Sequence, residues 1–171
     1  TVVLAFVRER DSRNPDAEAA RMAQRAAARG YAALRKEHED AWAERWKADI
    51  RVEGDPDAQQ MLHKALFDLI QSTRPGGDDS VAPETLSGDF YKGHIFWDAD
   101  VWIFPALLAQ HPALARNILD YRFRMLPEAR RRAAAAGFRG ADFPWESAAT
   151  GKETAPGGFP EGRHVTAGVG W

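Results

Sequence analysis

The chain contains no cysteine. Disulfides, thiolate metal sites and cysteine nucleophiles are therefore excluded, while the redox compartment stays open. A charge excess is missing too: 23 Lys and Arg stand against 25 Asp and Glu, a formal charge of −2. No global positive field draws nucleic acid or an anionic lipid surface. No run approaches the ~18 consecutive apolar residues of a membrane-spanning helix, and no signal-peptide pattern opens the chain. There is no P-loop, no G-x-G-x-x-G, no G-x-S-x-G and no metal-ligand spacing such as H-E-x-x-H. Neither a nucleic acid, a membrane, a metal nor a cofactor is expected.

What is present suffices for a core. The 171 residues are 44% hydrophobic and 28% charged, close to ordinary globular composition. Aromatics reach 11%, with six tryptophans. The sequence begins at Thr1 rather than Met and stops at Trp171 within a helical pattern, which suggests a piece of a longer protein.

Thr1–Arg8 is rich in β-branched and aromatic residues and reads as a buried strand. Nothing later reads as a strong partner for it. A lone strand cannot satisfy its ladder, so its sheet is expected outside this sequence. After a turn at Asp11–Pro15, the rest reads as helix and loop. Asp16–Arg29 is a helix stopped by Gly30. Tyr31–Asp49 follows, with Tyr31, Leu34, His38, Trp42 and Trp46 on one face, either packed or forming a stacked ligand platform. Asp55 and Pro56 start a helix that runs to about Ser72. Arg74–Gly88 is a long polar loop. Ile95–Ala109 is apolar nearly all round and reads as a buried helix. The next helix starts at His111-Pro112 and turns Leu114, Ile118, Leu119 and Phe123 inward. Pro127 should kink or restart it, and Gly137 should end it. Phe138–Gly162 is irregular, and Arg163–Trp171 opens another helix. Two long Gly/Pro-rich loops, each between helices, suggest helical hairpins with their loops gathered at one end.

Two stretches carry chemistry. Gly93–Pro105 (GHIFWDADVWIFP) sets Asp98 and Asp100 in an aromatic run. A buried carboxylate must be paired, hydrogen-bonded or in a wet pocket. Residues i and i+2 do not share a helix face, so both cannot enter one site from a regular helix. Asp98 is either a ligand contact or a plain N-cap. Asp142–Glu153 (DFPWESAATGKE) sets Trp145 beside Glu146 in a loop. An indole face with a carboxylate suits a sugar, whose C–H face stacks while its hydroxyls donate. Glu146 capping the next turn is the alternative. His94 either contacts ligand or hydrogen-bonds locally. His63 reads as packing, and Arg130-Arg131-Arg132 as a solvated face.

Leu86-Ser-Gly88, Tyr91, Gly93–Trp102, Tyr121–Arg130, Gly140–Ala148, Thr150-Gly151 and Glu161–Ala167, together with His38-x3-Trp42-x3-Trp46, resemble glycoside hydrolase family 65 in the right order. The resemblance implies an all-α fold, part of an (α/α)6 barrel, with a helical linker and the last strand of an N-terminal β-sandwich before it. It places the sandwich end at 1–10, the linker at 11–53 and the truncated barrel at 54–171. It implies action with inversion on α-linked glucose disaccharides or glucosyl conjugates such as trehalose, maltose or kojibiose, by hydrolysis or phosphorolysis. It assigns glucose binding to Trp97, Asp98, Trp145 and Glu146, with His94 and Asp100 as further candidates. Phosphorylases of the family usually read Phe-Trp-Asp-Thr-Glu. Here Phe96–Asp100 reads FWDAD, closer to the acid trehalase and glucosyl-galactosyl-hydroxylysine glucosidase branch, which favours hydrolysis. The general acid is expected beyond residue 171, so this segment alone should not turn over. A bacterial cytoplasmic location is implied, and a homodimer is left open. A non-catalytic helical module binding sugar or a protein partner is the reading from another class. The sugar reading requires the two indole–acid pairs to converge on one cavity.

Overall fold

The computed structural model describes residues 2–170; the first residue of the expected strand, Thr1, and the last of the expected final helix, Trp171, lie outside the described residues. The chain divides into two compact units, Thr1–Ala48 and Asp49–Trp171.

In the first unit no strand forms over residues 2–8. Exposure still alternates along it: Val2, Leu4 and Phe6 are open to solvent while Val3, Ala5 and Val7 are half-covered. The β-prone composition is there, but a ladder needs a second strand, and none lies alongside among the described residues. Helix α1 spans Pro15–Arg45 and is broken at Gly30, whose φ of 75° and ψ of 161° are not helical. The two expected helices are its two halves, the second ending at Arg45 rather than Asp49. Asn14 caps its start by accepting from the Ala17 amide at 3.2 Å. No residue of α1 is buried. Trp42 and Trp46 stack on each other, 6.2 Å apart at 27°.

The second unit opens with α2, Pro56–Gln71, capped by Asp55 through the Ala58 amide at 2.9 Å. It buries Leu66 and Ile70. His63 faces Asp49, Nε2 to Oδ1 2.9 Å. The loop that follows is tied down from a later helix, α4 (Pro112–Ala135). The buried Asn117 donates to Thr73 Oγ1 and to the Arg74 carbonyl. Arg124 donates to the Asp78 carbonyl at 3.2 Å.

The expected buried helix over Ile95–Ala109 is not one helix. Ile95–Phe96 is a short strand, β1, and Ala99–Ile103 is a single π-helical turn. Helix α3, Phe104–Gln110, completes the segment. Strand pairing takes Ile95 and Phe96 before helix can form. Trp102 and Leu108 are exposed, so the apolar run is not covered on all sides.

Helix α4 buries Leu114, Ala115, Ile118, Tyr121, Arg122, Met125, Ala129 and Ala133, one stripe at three- and four-residue spacing. Leu119 and Phe123, expected inside, are 48% and 78% exposed. They lie one residue past the stripe, and Tyr121 and Arg122 take the inward positions. Pro127 neither kinks nor restarts α4. It and Phe123 both face solvent, where water can take the carbonyl left without an amide. Gly137, with φ 79°, ends the helix as expected. The Phe138 amide reaches the Ala133 carbonyl at 2.9 Å and the Gly137 amide the Ala134 carbonyl at 3.0 Å, a Schellman closure. Strand β2 is Glu146–Ser147, a 3-10 turn spans Phe159–Glu161, and α5 spans His164–Gly170. Ala129, Phe143 and Val165 form a small core, with Trp97, Leu126, Trp145 and Val169 packed against it.

Candidate functional site

The two chemistry-bearing stretches meet through one short ladder. β1 and β2 pair antiparallel, Ile95 opposite Ser147 and Phe96 opposite Glu146. Continuing that register by one residue puts Trp97 opposite Trp145. Facing residues of an antiparallel pair have Cβ atoms about 4.5–5.5 Å apart, so large rings there must touch. The indoles do so edge-on, centroids 5.8 Å apart at 61°. His164 of α5 stands edge-on to both, 5.1 Å from Trp97 and 5.3 Å from Trp145. Phe159 lies 5.2 Å from Trp145, tilted by 36°.

Trp97, Trp145 and Phe159 wall a cavity of about 400 Å³. Its lining includes Tyr91, Phe96, Trp97, Asp98, Trp145, Glu146 and Phe159. That volume lies within the roughly 300–1,000 Å³ typical of small-molecule sites. Apolar surface dominates, with two carboxylates set into it. Asp98 occupies the position before the π-helical turn but makes no capping hydrogen bond. The N-cap alternative for it therefore falls away. Glu146 is fixed by His94, whose Nδ1 sits on Glu146 Oε1 and also lies 3.3 Å from Thr154 Oγ1. His94 thus hydrogen-bonds neither locally nor into the cavity: its partners come from the second stretch and the residue just past it, and it is absent from the lining.

Asp100 departs from the expected grouping. It is 8% exposed and faces Arg122, not the cavity. The Arg122 Nε donates to both Asp100 oxygens at 3.1 Å, its Nη2 to Oδ2 at 2.5 Å and to the Phe96 carbonyl at 3.2 Å. The physical reason is the two-residue offset from Asp98. On a helical turn that offset rotates a side chain away, here into the core, where the Arg122 guanidinium compensates the carboxylate.

Several contributors were invisible in the sequence. Tyr121 of α4 is buried, and its hydroxyl is 2.9 Å from both Ser147 Oγ and the Ala148 carbonyl. Burial pushes the phenol above its ordinary range, so it stays protonated and donates. Tyr121→Phe leaves that end of β2 unsatisfied. The expected loss is about 1–2 kcal/mol, measured by urea unfolding of the full-length protein. Arg132, read as part of a solvated face, is largely covered and reaches Asp142 at 3.3 Å and Glu153 at 2.9 Å. Only its neighbours behave as expected: Arg130 is exposed, and Arg131 pairs with Glu128 at 2.5 Å on the surface. Gly151 takes φ 71°, and a Cβ there would stand 2.9 Å from Met125 Cγ, so glycine lets this loop lie close on α4. Periodicity does not name the partners of Tyr121, Arg132 or Gly151, because each contact joins residues ten or more apart or depends on a turn's exact path.

Among the described residues no group of three or more His, Asp or Glu side chains is placed to hold a metal ion. Among the same residues no helix is long and apolar enough to cross a membrane.

The chain is 42% identical to a kojibiose hydrolase from Mucilaginibacter mallensis, over 99% of its own length and 25% of the relative's. It is 41% identical to a protein-glucosylgalactosylhydroxylysine glucosidase from Gallus gallus, over 72% of its length and 19% of the relative's. A solved structure of a candidate kojibiose phosphorylase from the human microbiome superposes with a TM-score of 0.80 at 25% identity, covering 92% of this chain and 22% of that one. The chain thus spans a fifth to a quarter of the length of these relatives. The family model described as the glycosyl hydrolase family 65 central catalytic domain matches residues 63–162, and the chain belongs to that family.

Proposed function

We propose that this chain supplies the glucose-binding part of an inverting α-glucoside hydrolase acting on trehalose-like disaccharides such as kojibiose, or on glucosyl conjugates. The observation that carries the reading is the convergence of Trp97, Asp98, Trp145 and Glu146 on one apolar-walled cavity. The flat indole faces offer a surface for the C–H face of a pyranose. The carboxylates of Asp98 and Glu146 accept hydrogen bonds from its hydroxyls, and such charge-assisted bonds are the stronger kind. Burying them among rings raises their strength further, because little water competes. These interactions hold the sugar equally before and during bond cleavage, so they serve affinity and orientation. The chemical step needs a general acid for the glycosidic oxygen and a base for water, with carboxyls about 6.5–9.5 Å apart in inverting enzymes. The acid is assigned to a Glu outside residues 1–171, and the segment by itself is expected to bind without turnover. By this reading the (α/α)6 barrel is completed by the rest of the protein.

Phosphorolysis is the second reading, supported by the likeness to a candidate kojibiose phosphorylase. Inorganic phosphate would then replace water as nucleophile. A single assay separates the two. The full-length protein is incubated with kojibiose, trehalose and maltose, with and without phosphate. Glucose released at equal rates in both conditions is the expected outcome. Strictly phosphate-dependent release of β-glucose 1-phosphate would replace hydrolysis by phosphorolysis. Sugar binding with no turnover under any condition would favour a non-catalytic module.

A further inference from the structure

Glu153 lies outside the cavity lining, yet its carboxylate gathers five donors. Oε1 accepts from the amides of Glu146 at 3.0 Å, Thr154 at 3.2 Å and Ala155 at 3.1 Å. Oε2 accepts from the Trp145 amide at 2.9 Å and from Arg132 Nη1 at 2.9 Å. The side chain is only 14% exposed. The loop closes around it: Ser147 bridges Glu153, and the Thr154 amide donates to the Glu146 carbonyl at 3.0 Å. Four backbone N–H groups thus converge on one point, a concavity that favours an anion. A carboxylate offers about four lone-pair sites and no hydrogen to clash, which no neutral side chain matches. Arg132 then carries the arrangement back to α4. It also holds Asp142 at 3.3 Å and the Pro160 carbonyl, so both ends of the loop are tied to one guanidinium.

The two amides held from across the loop belong to Trp145 and Glu146, the residues that present an indole and a carboxylate to the cavity. We infer that Glu153 is a positioning residue for the sugar site, fixing Trp145 and Glu146 through their backbones. This rests on the glucose-binding reading above. Glu153→Gln keeps the shape but turns one acceptor into a donor, which must face either amide hydrogens or the guanidinium. The amides of Trp145 and Glu146 then lose register, and their side chains swing off the sugar.

The test measures glucose binding to the full-length protein by calorimetry, alongside its melting temperature. Glu153→Gln is expected to raise the dissociation constant about tenfold, and its effect is expected to be at least about threefold smaller in a Glu146→Gln background, because the two act in series. Glu153→Asp, which keeps the charge on a shorter arm, should recover part of the affinity. A change within about twofold in a protein that melts normally, or an equal factor in both backgrounds, overturns the assignment while leaving the sugar site intact. If Glu153→Gln does not fold, Glu153→Asp enters the same comparison with the same criteria. Failure of both to fold also overturns it, since Glu153 would then belong to the scaffold. Absence of glucose binding in the unaltered protein, or indifference of binding to Glu146→Gln, removes the sugar reading and this inference together.

Discussion

Trp97→Leu in the full-length protein is expected to weaken glucose binding by about 2 kcal/mol or more, roughly 30-fold, the scale of removing an aromatic anchor from a desolvated contact. Leucine is the informative replacement. Trp97 also packs against the core of Ala129, Phe143 and Val165, and alanine would open a void there. Leucine fills part of that volume and lacks the flat face a pyranose would stack on. The loss should appear in the dissociation constant of glucose and in KM, with kcat changed far less, because the contact is made equally in ground and transition states. The Trp97 ring packs against Trp145 and His164, ring centres 5.8 and 5.1 Å away. Unchanged glucose affinity in a folded Trp97→Leu protein would remove the sugar from this cavity.

Arg122→Ala is expected to cost about 3–5 kcal/mol of stability, the range seen when one partner of a buried ion pair is removed. That is a large part of the roughly 5–15 kcal/mol that holds a typical domain together. The side chains of Arg122 and Asp100 are 4% and 6% exposed. Truncating the arginine leaves the Asp100 carboxyl buried without its partner. It also frees the Phe96 carbonyl, which Arg122 binds at 3.2 Å, at the strand that aligns Trp97 with Trp145. The double change Asp100→Leu with Arg122→Met should recover much of the loss, since an apolar pair of similar volume often substitutes for a buried ion pair without penalty. Thermal and urea unfolding of the full-length protein measure both. A loss below about 1 kcal/mol for Arg122→Ala would mean that water reaches Asp100, contrary to its burial.

The same pair illustrates what the sequence could and could not give. Asp98 and Asp100 were separable in advance, because a two-residue offset on a helical turn sends side chains in different directions. Which one meets a cation was not, because Arg122 approaches from twenty-two residues away. The Ile95–Ala109 run misled for a related reason. Its apolar composition is compatible with helix, and only pairing with Glu146–Ser147 makes Ile95–Phe96 a strand. Residues 2–8 carry strand composition, and no ladder forms there because none of the described residues pairs with them. Arg132 shows the limit for charge runs: three adjacent arginines look alike in sequence, and their angular position on α4 alone decides which is drawn into an ion-pair network.

Local chemistry was determined by the sequence itself: the cap at Asp55, the breaks at Gly30 and Gly137, and the two indole–carboxylate pairs. These depend on interactions within a few residues, which composition and spacing encode directly. Tertiary structure alone decided that Trp97 faces Trp145, that Asp100 is sealed against Arg122, and that Glu153 gathers the backbone of the second pair. Each of those is a contact across a loop or between elements, set by register and by how the chain closes on itself, and no periodicity in the residues records it.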